Sequence, residues 1–266
     1  LLLQRGANVN LQNSYGGTAL IGAAFFNHPA VVRRLLRAGA DTAARPENGM
    51  TAVQMAKERG HAECVEAFRQ HVAEVTASPR EAAAGGAGGA ISGEAASSGS
   101  LGSLPREAVD AALQGDEAAL LAWLESGGQV NATRRAGDVS VTALMLAANN
   151  GHERVVELLL QRGADANLQN SIGFAALMFA AGSGHERAIE LLLQRGADVN
   201  LQNSVGDTAL MRAAHCERVV GHERVVDLLI RRGADVNLQN SNGSAALMAA
   251  ADNGHERLVD LLIRRG

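Results

Sequence analysis

A five-residue string, Asn-Leu-Gln-Asn-Ser, recurs in this chain and constrains its fold more than any other feature. The string begins at residues 10, 167, 200 and 237. A glycine that closes an apolar run keeps the same rhythm: it recurs after 33 residues from 6 to 39, 163 to 196 and 233 to 266, and after 37 from 196 to 233. A fixed period of this length is typical of solenoids, in which small units stack on their neighbours.

The copy that starts at Asn167 shows what one unit contains. Residues 175–181 form a short segment rich in Ala, Leu and Met, and Gly184 interrupts it. A second segment, residues 186–195, has its apolar residues at helical spacing. Gly196 follows at a position where helices commonly end in a left-handed residue. Each unit is therefore predicted to be two short helices and an extended turn, and neither helix can bury its apolar face alone.

The motifs of the copy from Asn200 resemble the ankyrin repeat. The matching segments are Thr208-Ala209-Leu210, Gly221-His222, Leu228-Leu229 and Gly233-Ala234-Asp235-Val236-Asn237. Where the family pattern has Thr-Pro-Leu-His, this chain has Thr-Ala-Leu-Met, so the usual proline and the histidine that bonds between repeats are absent. The resemblance implies an all-α ankyrin-repeat solenoid, built of 33-residue helix-turn-helix units with extended turn fingers.

A change of composition divides the chain. Of the 30 residues from 76 to 105, 21 are Gly, Ala or Ser, and such a segment buries too little apolar surface to offset its ordering entropy. We predict a first array over residues 1–75, a flexible linker over 76–105 and a second array over 106–266. Because both chain ends match the middle of a repeat, we expect both arrays to be truncated there, with exposed apolar faces at Leu1–Leu3 and Leu261–Ile263.

Several units depart from the repeat in informative ways. Lys57 replaces a buried Ala in the last unit of the first array, and the unit from Arg106 is polar where others are apolar, so both are predicted to be end caps. Three extra residues around 134–141 predict a longer finger. Four extra residues, Glu217–Val220, fit either a lengthened first helix or a bulged loop.

Residues with chemical potential fall into the repeat pattern. Six histidines occupy one repeat position, at the start of the second helix, and are interpreted as scaffold residues (His28, His61, His152, His185, His222 and His255). None is followed one turn later by the second histidine of a zinc-binding His-Glu-x-x-His motif. Cys64 aligns with the core residue Val155. The sequence predicts no catalytic residues, no metal ligands and no cofactor.

Charge and cysteine content restrict the kinds of partner and the compartment that we expect. The net charge of −4 and the pI near 6.1 give no basic footprint for nucleic acid. No apolar run approaches the roughly 18 residues that a membrane-spanning helix needs. Two cysteines cannot form a disulfide framework and favour a reducing compartment. We therefore expect an intracellular, cytoplasmic protein that contacts neither nucleic acid nor membrane.

Comparison of the internal copies shows where a partner protein could bind. The resemblance implies binding along a concave surface formed by finger tips and first helices, and the copies differ mainly at those positions. The candidates are Tyr15, Phe25, Phe26, Asn149, Asn150, Ile172, Phe174, Val205, Asp207, His215, Asn242, Asp252 and Asn253. Exposed positions that drift freely would vary in the same way, but the four aromatic residues among them favour a contact surface.

Two functions follow from this pattern. In the first, the chain is a scaffold that binds partner proteins and is not itself an enzyme. In the second, it is the substrate-recruiting region of a larger enzyme or signalling protein, whose catalytic domain lies outside the sequence.

Overall fold

The structure is a computed structural model that describes residues 6–76, 102–216 and 222–265. Fourteen helices and one two-stranded sheet lie within these ranges. The helices of the first array are α1 (Ala19–Phe25), α2 (Pro29–Arg37), α3 (Ala52–Glu58) and α4 (Ala62–Thr76). Those of the second are α5 (Arg106–Gln114), α6 (Glu117–Glu125), α7 (Ala143–Asn150), α8 (Glu153–Gln161), α9 (Ala176–Ser183), α10 (Glu186–Gln194), α11 (Ala209–His215), α12 (His222–Arg231), α13 (Ala246–Asp252) and α14 (Glu256–Arg265).

The helices pack in two layers. The odd-numbered first helices lie side by side in one layer, and the even-numbered second helices lie side by side in the other. Alanine at the start of every first helix except α5 lets neighbouring helices approach closely, and leucine, isoleucine or valine from the second helices fills the space between the layers. Leu159, Ile189, Leu192 and Leu229 are fully buried there. The predicted all-α ankyrin-type solenoid is confirmed.

Short polar signals begin and end the helices. Thr18, Thr142 and Thr208 each precede a first helix, and their side chains accept the backbone N–H three residues on. Glycines with positive φ end helices of both layers, including Gly196 at +83° as expected. Asn27, at +60°, is the one non-glycine residue with positive φ in the described part of the chain, and it stands where Gly151 and Gly184 end the first helices of other units.

The repeated Asn-Leu-Gln-Asn-Ser string builds the fingers. Its second asparagine, for example Asn203, accepts the backbone N–H groups of Val205 (3.0 Å) and Asp207 (2.8 Å) and so closes the turn. The first asparagine and the glutamine reach the next unit: Asn167 Oδ1 accepts the N–H of Asp198 at 2.7 Å, and Gln169 donates to the carbonyl of Gln202 at 2.7 Å. The string therefore supplies hydrogen bonds between repeats in a chain that lacks the family's usual histidine.

The finger with three extra residues forms a β-hairpin, which confirms the prediction of a longer finger. Strands β1 (Thr133–Ala136) and β2 (Val139–Thr142) pair antiparallel, with Thr133 opposite Thr142. The backbone of Leu104 donates to the carbonyl of Thr133 at 2.9 Å, and the Leu104 side chain is fully buried. Residues 102–105 therefore belong to the second array, and the predicted linker of residues 76–105 is too long at this edge. Thr76 likewise ends α4, and residues 77–101 lie outside the described residues.

The two arrays stack on one another. Helix α1 packs against α13, and α2 packs against α14, in the same two layers as other neighbouring units. The order of units in the stack is therefore α5–α6, α7–α8, α9–α10, α11–α12, α13–α14, α1–α2 and α3–α4. We call the contact between α13–α14 and α1–α2 the array joint.

The array joint repeats the hydrogen bonds of the other joints. Asn237 Oδ1 accepts the N–H of Asn8 at 2.8 Å, as Asn200 Oδ1 accepts that of Asp235 at 2.8 Å. Gln239 donates to the carbonyl of Gln12 at 2.9 Å. Arg34 also makes two ion pairs across this joint, with Glu256 at 2.8 Å and Asp260 at 2.9 Å.

This stacking corrects the expectation of an exposed apolar face at Leu261–Ile263. Leu262 is fully buried, its carbonyl accepts the N–H of Ala7 at 3.0 Å, and Leu261 and Ile263 are half-buried. Leu1–Leu3 lie outside the described residues. At the outer ends of the stack, Lys57, Asp110, Gln114 and Asp116 are exposed, in agreement with the predicted caps.

The four-residue insertion does not lengthen the first helix of its unit. Helix α11 ends at His215, and Cys216 is already extended, with φ −72° and ψ 127°. The inserted residues 217–220 themselves lie outside the described part of the chain. In the ranges that the structure covers, no helix is long and apolar enough to cross a membrane.

Candidate partner-binding groove

A groove lies between the fingers and the first helices in the region of α11, α13 and α1. It is lined by side chains of these helices and by residues that follow each finger. Two cavities lie in it, on either side of α13. The α11-side cavity has a volume of about 260 Å³ and is lined by polar groups that include Asp207, Arg212, His215, Asn240 and Asp252.

The α1-side cavity lies across the array joint and has a volume of about 230 Å³. Its lining comes from both arrays: Met248 and Asp252 from α13, Phe25 and Phe26 from the end of α1, and Met55 from α3. Asp252 is the residue that the two cavities share among the predicted site residues. The array joint therefore brings predicted residues from opposite ends of the chain into one cavity.

Four predicted residues are exposed apolar side chains. Tyr15 is 58% exposed, Phe26 52%, Val205 49% and Ile172 40%. Tyr15, Ile172 and Val205 lie at finger tips, outside the two cavities, and Phe26 follows α1 in the groove. Two other large apolar side chains are similarly exposed in the described ranges, Leu113 and Val72.

Two of the four predicted aromatic residues are less exposed than expected. Phe25 is half-buried against the core, and the guanidinium of Arg59 lies 3.5 Å from its ring centroid. Phe174 packs against Phe179, with ring centroids 5.5 Å apart, and Arg212 lies 5.4 Å above it. Truncation of Phe25 or Phe174 should therefore disturb the packing, because both side chains contact the core.

Three of the four predicted asparagines lie at the ends of first helices. Asn150 and Asn253 each donate to the backbone carbonyl four residues earlier, at 2.9 and 2.8 Å. Asn149 accepts the hydroxyl of Ser183 at 3.1 Å. Asn149, Asn150, Asn242 and His215 are exposed, and Asn253 is half-buried beside His215.

Asp207 is tied into the scaffold. Asn240, in the next finger, donates to its carboxylate at 2.8 Å, and the carboxylate is half-buried. The corresponding amide in the preceding finger, Asn203 Nδ2, is buried without a partner in the described structure, because Phe174 stands at the position of Asp207. Asp207 thus satisfies a buried donor as well as lining the α11-side cavity.

Sequence comparison missed one repeat position of the groove. The fourth residue of each first helix faces the groove and differs in every copy that begins with Ala-Leu (Gly22, Leu146, Phe179, Arg212 and Ala249). The same comparison of copies could have found it. Leu113 was also missed: it aligns with Asn149 when Gly115 is placed opposite Gly151, but the atypical sequence of the first unit of the second array hides this alignment.

Asp252 stands apart electrostatically. Burial raises the pKa of its carboxyl from 3.8 to about 6. Its backbone carbonyl accepts the His28 ring at 2.9 Å, whereas its carboxylate has no hydrogen-bond or ion-pair partner in the described structure. Gly22 makes room for it, since a methyl group at Gly22 would overlap Oδ1 of Asp252. In the described structure, the negative charge of this carboxylate is therefore not offset by any hydrogen bond or ion pair.

The six repeated histidines hold neighbouring units together. Each ring bonds to the backbone at or near the end of a first helix in the preceding unit of the stack, at 2.8 to 3.3 Å in His28, His61, His152, His185 and His222. Burial lowers the pKa of His255, which bonds to the backbone of Cys216. Cys64 is fully buried, and burial raises the pKa of its thiol. Over the described ranges, no three His, Cys, Asp or Glu residues are placed to hold a metal ion.

Comparison with known proteins agrees with this architecture. Ankyrin repeats match the chain in three copies, over residues 1–78, 109–203 and 196–266. The chain belongs to the ankyrin repeat family. Ankyrin repeats mediate binding to other proteins, so the broad expectation of a protein-binding repeat is confirmed.

Two plant proteins are similar to part of the chain. It is 33% identical over 168 residues to the probable E3 ubiquitin-protein ligase XBOS33 of Oryza sativa subsp. japonica, and 32% identical over 168 residues to the E3 ubiquitin-protein ligase XBAT33 of Arabidopsis thaliana. Each match covers 63% of this chain, but only 29% of the first relative and 27% of the second. The chain therefore spans less than a third of either relative.

Proposed function

We propose that this chain is a protein-interaction scaffold that binds partner proteins through the groove and the finger tips beside it. We infer that it carries out no catalysis itself and acts inside the cell, with two arrays joined by a linker that falls within residues 77–101.

One observation carries the proposal. Of the six large apolar side chains that are exposed in the described ranges, five lie at finger tips or at the ends of first helices. Exposed aromatic side chains are enriched among the residues that dominate binding at protein interfaces. Their concentration on one side of the stack supports that side as the contact surface.

The test compares two surfaces of the same stack. Partners are first captured with the parent chain by affinity purification and mass spectrometry. Binding of a captured partner is then measured with Tyr15→Ala/Phe26→Ala and with Val72→Ala, whose side chain is 59% exposed on the second helix α4. We expect the double variant to bind at least about tenfold more weakly, because interface anchors contribute about 2 kcal/mol or more.

The control variant and the helical signal decide the interpretation. Val72→Ala should bind as the parent does, and all variants should keep the same circular dichroism spectrum. Equal binding by the double variant and the parent, for every captured partner, would exclude the groove and its fingers as the contact surface.

The names of the relatives favour a second function. Both are described as E3 ubiquitin-protein ligases, and this chain matches a limited part of each. We propose as the alternative that the chain recruits substrates within a larger ligase. A longer gene product that contains this chain would then transfer ubiquitin to a captured partner when E1, E2 and ubiquitin are supplied. Absence of transfer to every partner that binds the groove would leave the scaffold function alone.

A further inference from the structure

We propose that Asp252 forms a recognition site for a basic side chain, lysine or arginine, that a partner protein inserts into the α1-side cavity. This inference rests on the proposed scaffold function and assigns the chemistry of one contact within it.

The negative charge of Asp252 is the first observation that supports this site. Among the residues that the structure describes, Asp252 is the only charged one that lines the α1-side cavity. Its carboxylate lies at the end of α13, where the helix dipole also disfavours an anion. The Asp252 side chain is half-buried, and a charge that is partly removed from water without a partner is unfavourable. The cavity therefore offers an anion that a cation from outside can neutralise.

Other charged groups near Asp252 lie in different directions. Arg212, His215 and Asp207 face it from α11 and its finger, across the α11-side cavity. From α2, the His28 ring bonds to its backbone carbonyl, and α1 contributes only Gly22 beside its carboxylate. His255 lies between α13 and α14, and its ring bonds to the backbone of Cys216 instead. None of these groups pairs with the carboxylate.

The walls of the cavity suit the stem of a basic side chain. Phe25, Phe26, Met55 and Met248 provide apolar and aromatic surface around the carboxylate. Lysine and arginine bury an aliphatic stem while their charged end finds a partner, and aromatic rings attract cations. Arg59 already stacks on Phe25 at 3.5 Å within this chain, and Phe26 offers a second, more exposed ring.

The size of the cavity limits its occupant. Its volume of about 230 Å³ is below the roughly 300–1,000 Å³ typical of pockets for drug-sized ligands. A single side chain is therefore a better match than a cofactor. The surrounding groove can hold the peptide backbone from which that side chain projects.

The experiment uses peptide pools as probes. Random twelve-residue peptides carry a fixed central residue, which is Lys, Arg, Gln or Glu in four otherwise equal pools. The parent chain, Asp252→Asn and Glu153→Gln are each used for selection at pH 7.5. Glu153 is an exposed carboxylate on the second helix α8 and serves as the matched control.

Selection on the parent and on Glu153→Gln should enrich the Lys and Arg pools at least about tenfold over the Gln and Glu pools. Asp252→Asn should remove this preference and raise the Kd of the selected basic peptides at least about tenfold. Peptides that bind the parent without a basic preference, or basic peptides that bind Asp252→Asn with unchanged Kd, would overturn the proposal while the scaffold function stands. Failure of all pools to bind the parent would count against both.

A pH series separates Asp252 from neighbouring histidines. Because burial raises the pKa of this carboxyl to about 6, binding of a basic peptide should weaken as pH falls from 7.5 to 5 and Asp252 becomes protonated. His28 and His215 also lie nearby, so the slope is compared with that of Asp252→Asn, which should be flatter. Equal slopes in the two proteins would show that the pH effect does not come from Asp252 and would contradict the proposal.

A second variant tests the cavity without removing the charge. Gly22→Ala places a methyl group where the Asp252 carboxylate lies, so the carboxylate must move. We expect weaker binding of the selected basic peptides, with an unchanged helical spectrum, because alanine suits a helix better than glycine. Unchanged affinity in this variant would show that the position of Asp252 in the cavity does not matter for recognition.

Discussion

The array joint and the joints inside the second array form the same interface from differently connected pieces. In the second array, each unit follows its neighbour directly in the chain. At the array joint, Asn8 meets Asn237 across 229 residues of sequence, yet the hydrogen bond between them matches the others. The side chains of the repeat therefore set the geometry of a joint, and chain continuity is not required.

The two kinds of joint differ in what they add to the common frame. Inside the second array, the groove positions carry side chains that stack on one another, as Arg212 and Phe174 do. The array joint instead has Gly22 opposite an unpaired Asp252. On the other layer it has the ion pairs of Arg34, as the joint between α12 and α14 has those of Arg257 and Arg265. One face of this joint is thus destabilised and the other is reinforced.

The largest expected effect comes from truncating a core leucine, and it tests whether the array joint is packed like the internal joints. Leu262 at the array joint and Leu192 inside the second array are both fully buried. Truncation of either to Ala should destabilise the protein by roughly 2–5 kcal/mol through cavity formation. Urea unfolding followed by circular dichroism measures both. A loss at Leu192 with none at Leu262 would mean that the arrays are not stacked in solution.

A second prediction concerns the destabilised face. The native pKa of Asp252, about 6, lies above its ordinary value of 3.8, so the native state holds the proton more tightly. This carboxyl therefore costs stability above pH 6, and the cost disappears below about pH 3.8. Asp252→Asn should raise the free energy of unfolding at pH 7.5 by on the order of 2 kcal/mol.

The control for this effect is an exposed carboxylate far from the joint. Asp110→Asn, at the outer end of the stack, should change stability little at any pH. Parent and Asp252→Asn should become equally stable as pH approaches 3.5. A stability difference that persists at that pH would show that burial of the charge is not its cause.

A smaller effect is expected inside the second array. Asp207→Ala removes the acceptor of the Asn240 amide, and a buried donor left without a partner costs about 1–3 kcal/mol. Because Asp207 is only half-buried, we expect about 1 kcal/mol in urea unfolding. Asp207→Asn keeps an oxygen acceptor and should lose less. Equal losses in both variants would point to the charge of Asp207 rather than to this hydrogen bond.

The smallest effect belongs to the ion pairs of the array joint. Arg34 and its partners Glu256 and Asp260 remain partly exposed, and such pairs contribute about 0–1 kcal/mol. Arg34→Ala should therefore destabilise by about 0.5–1 kcal/mol at low salt, and by less in 1 M NaCl. Arg162→Ala, whose pair with Glu125 spans 3.9 Å inside the second array, should have a smaller effect. A salt-independent loss at Arg34 would indicate packing by its stem instead.

Sequence periodicity predicted what depends on neighbours within one or two repeats. The turn at Asn203, the left-handed Gly196, the scaffold role of the histidines and the burial of Cys64 all follow from local residues. The long finger at 134–141 was predicted from its extra residues alone. Such features were accessible because the next repeat along the chain supplies the missing contacts.

Periodicity could not predict contacts between side chains that differ from copy to copy, or contacts between residues far apart in the chain. The half-burial of Phe25 needs Arg59 from the following unit, and that of Phe174 needs Phe179 and Arg212. The high pKa of Asp252 needs Gly22, which lies at the other end of the sequence. The repeat pattern of either array does not predict that one stacks on the other, because an end unit carries the same motifs as an internal unit.

The sequence distance across the array joint also has a kinetic consequence. Contacts between adjacent units close short loops and form early, whereas the bond between Ala7 and Leu262 closes a very long loop and pays a larger entropic cost before it gains any contact. The first array should therefore assemble on its own and attach late, and the attachment should open before either array unfolds. In hydrogen exchange, the amides of Ala7 and Ser14 should lose their protection earlier than those of Ala234 and Ser241, which make the equivalent bonds inside the second array.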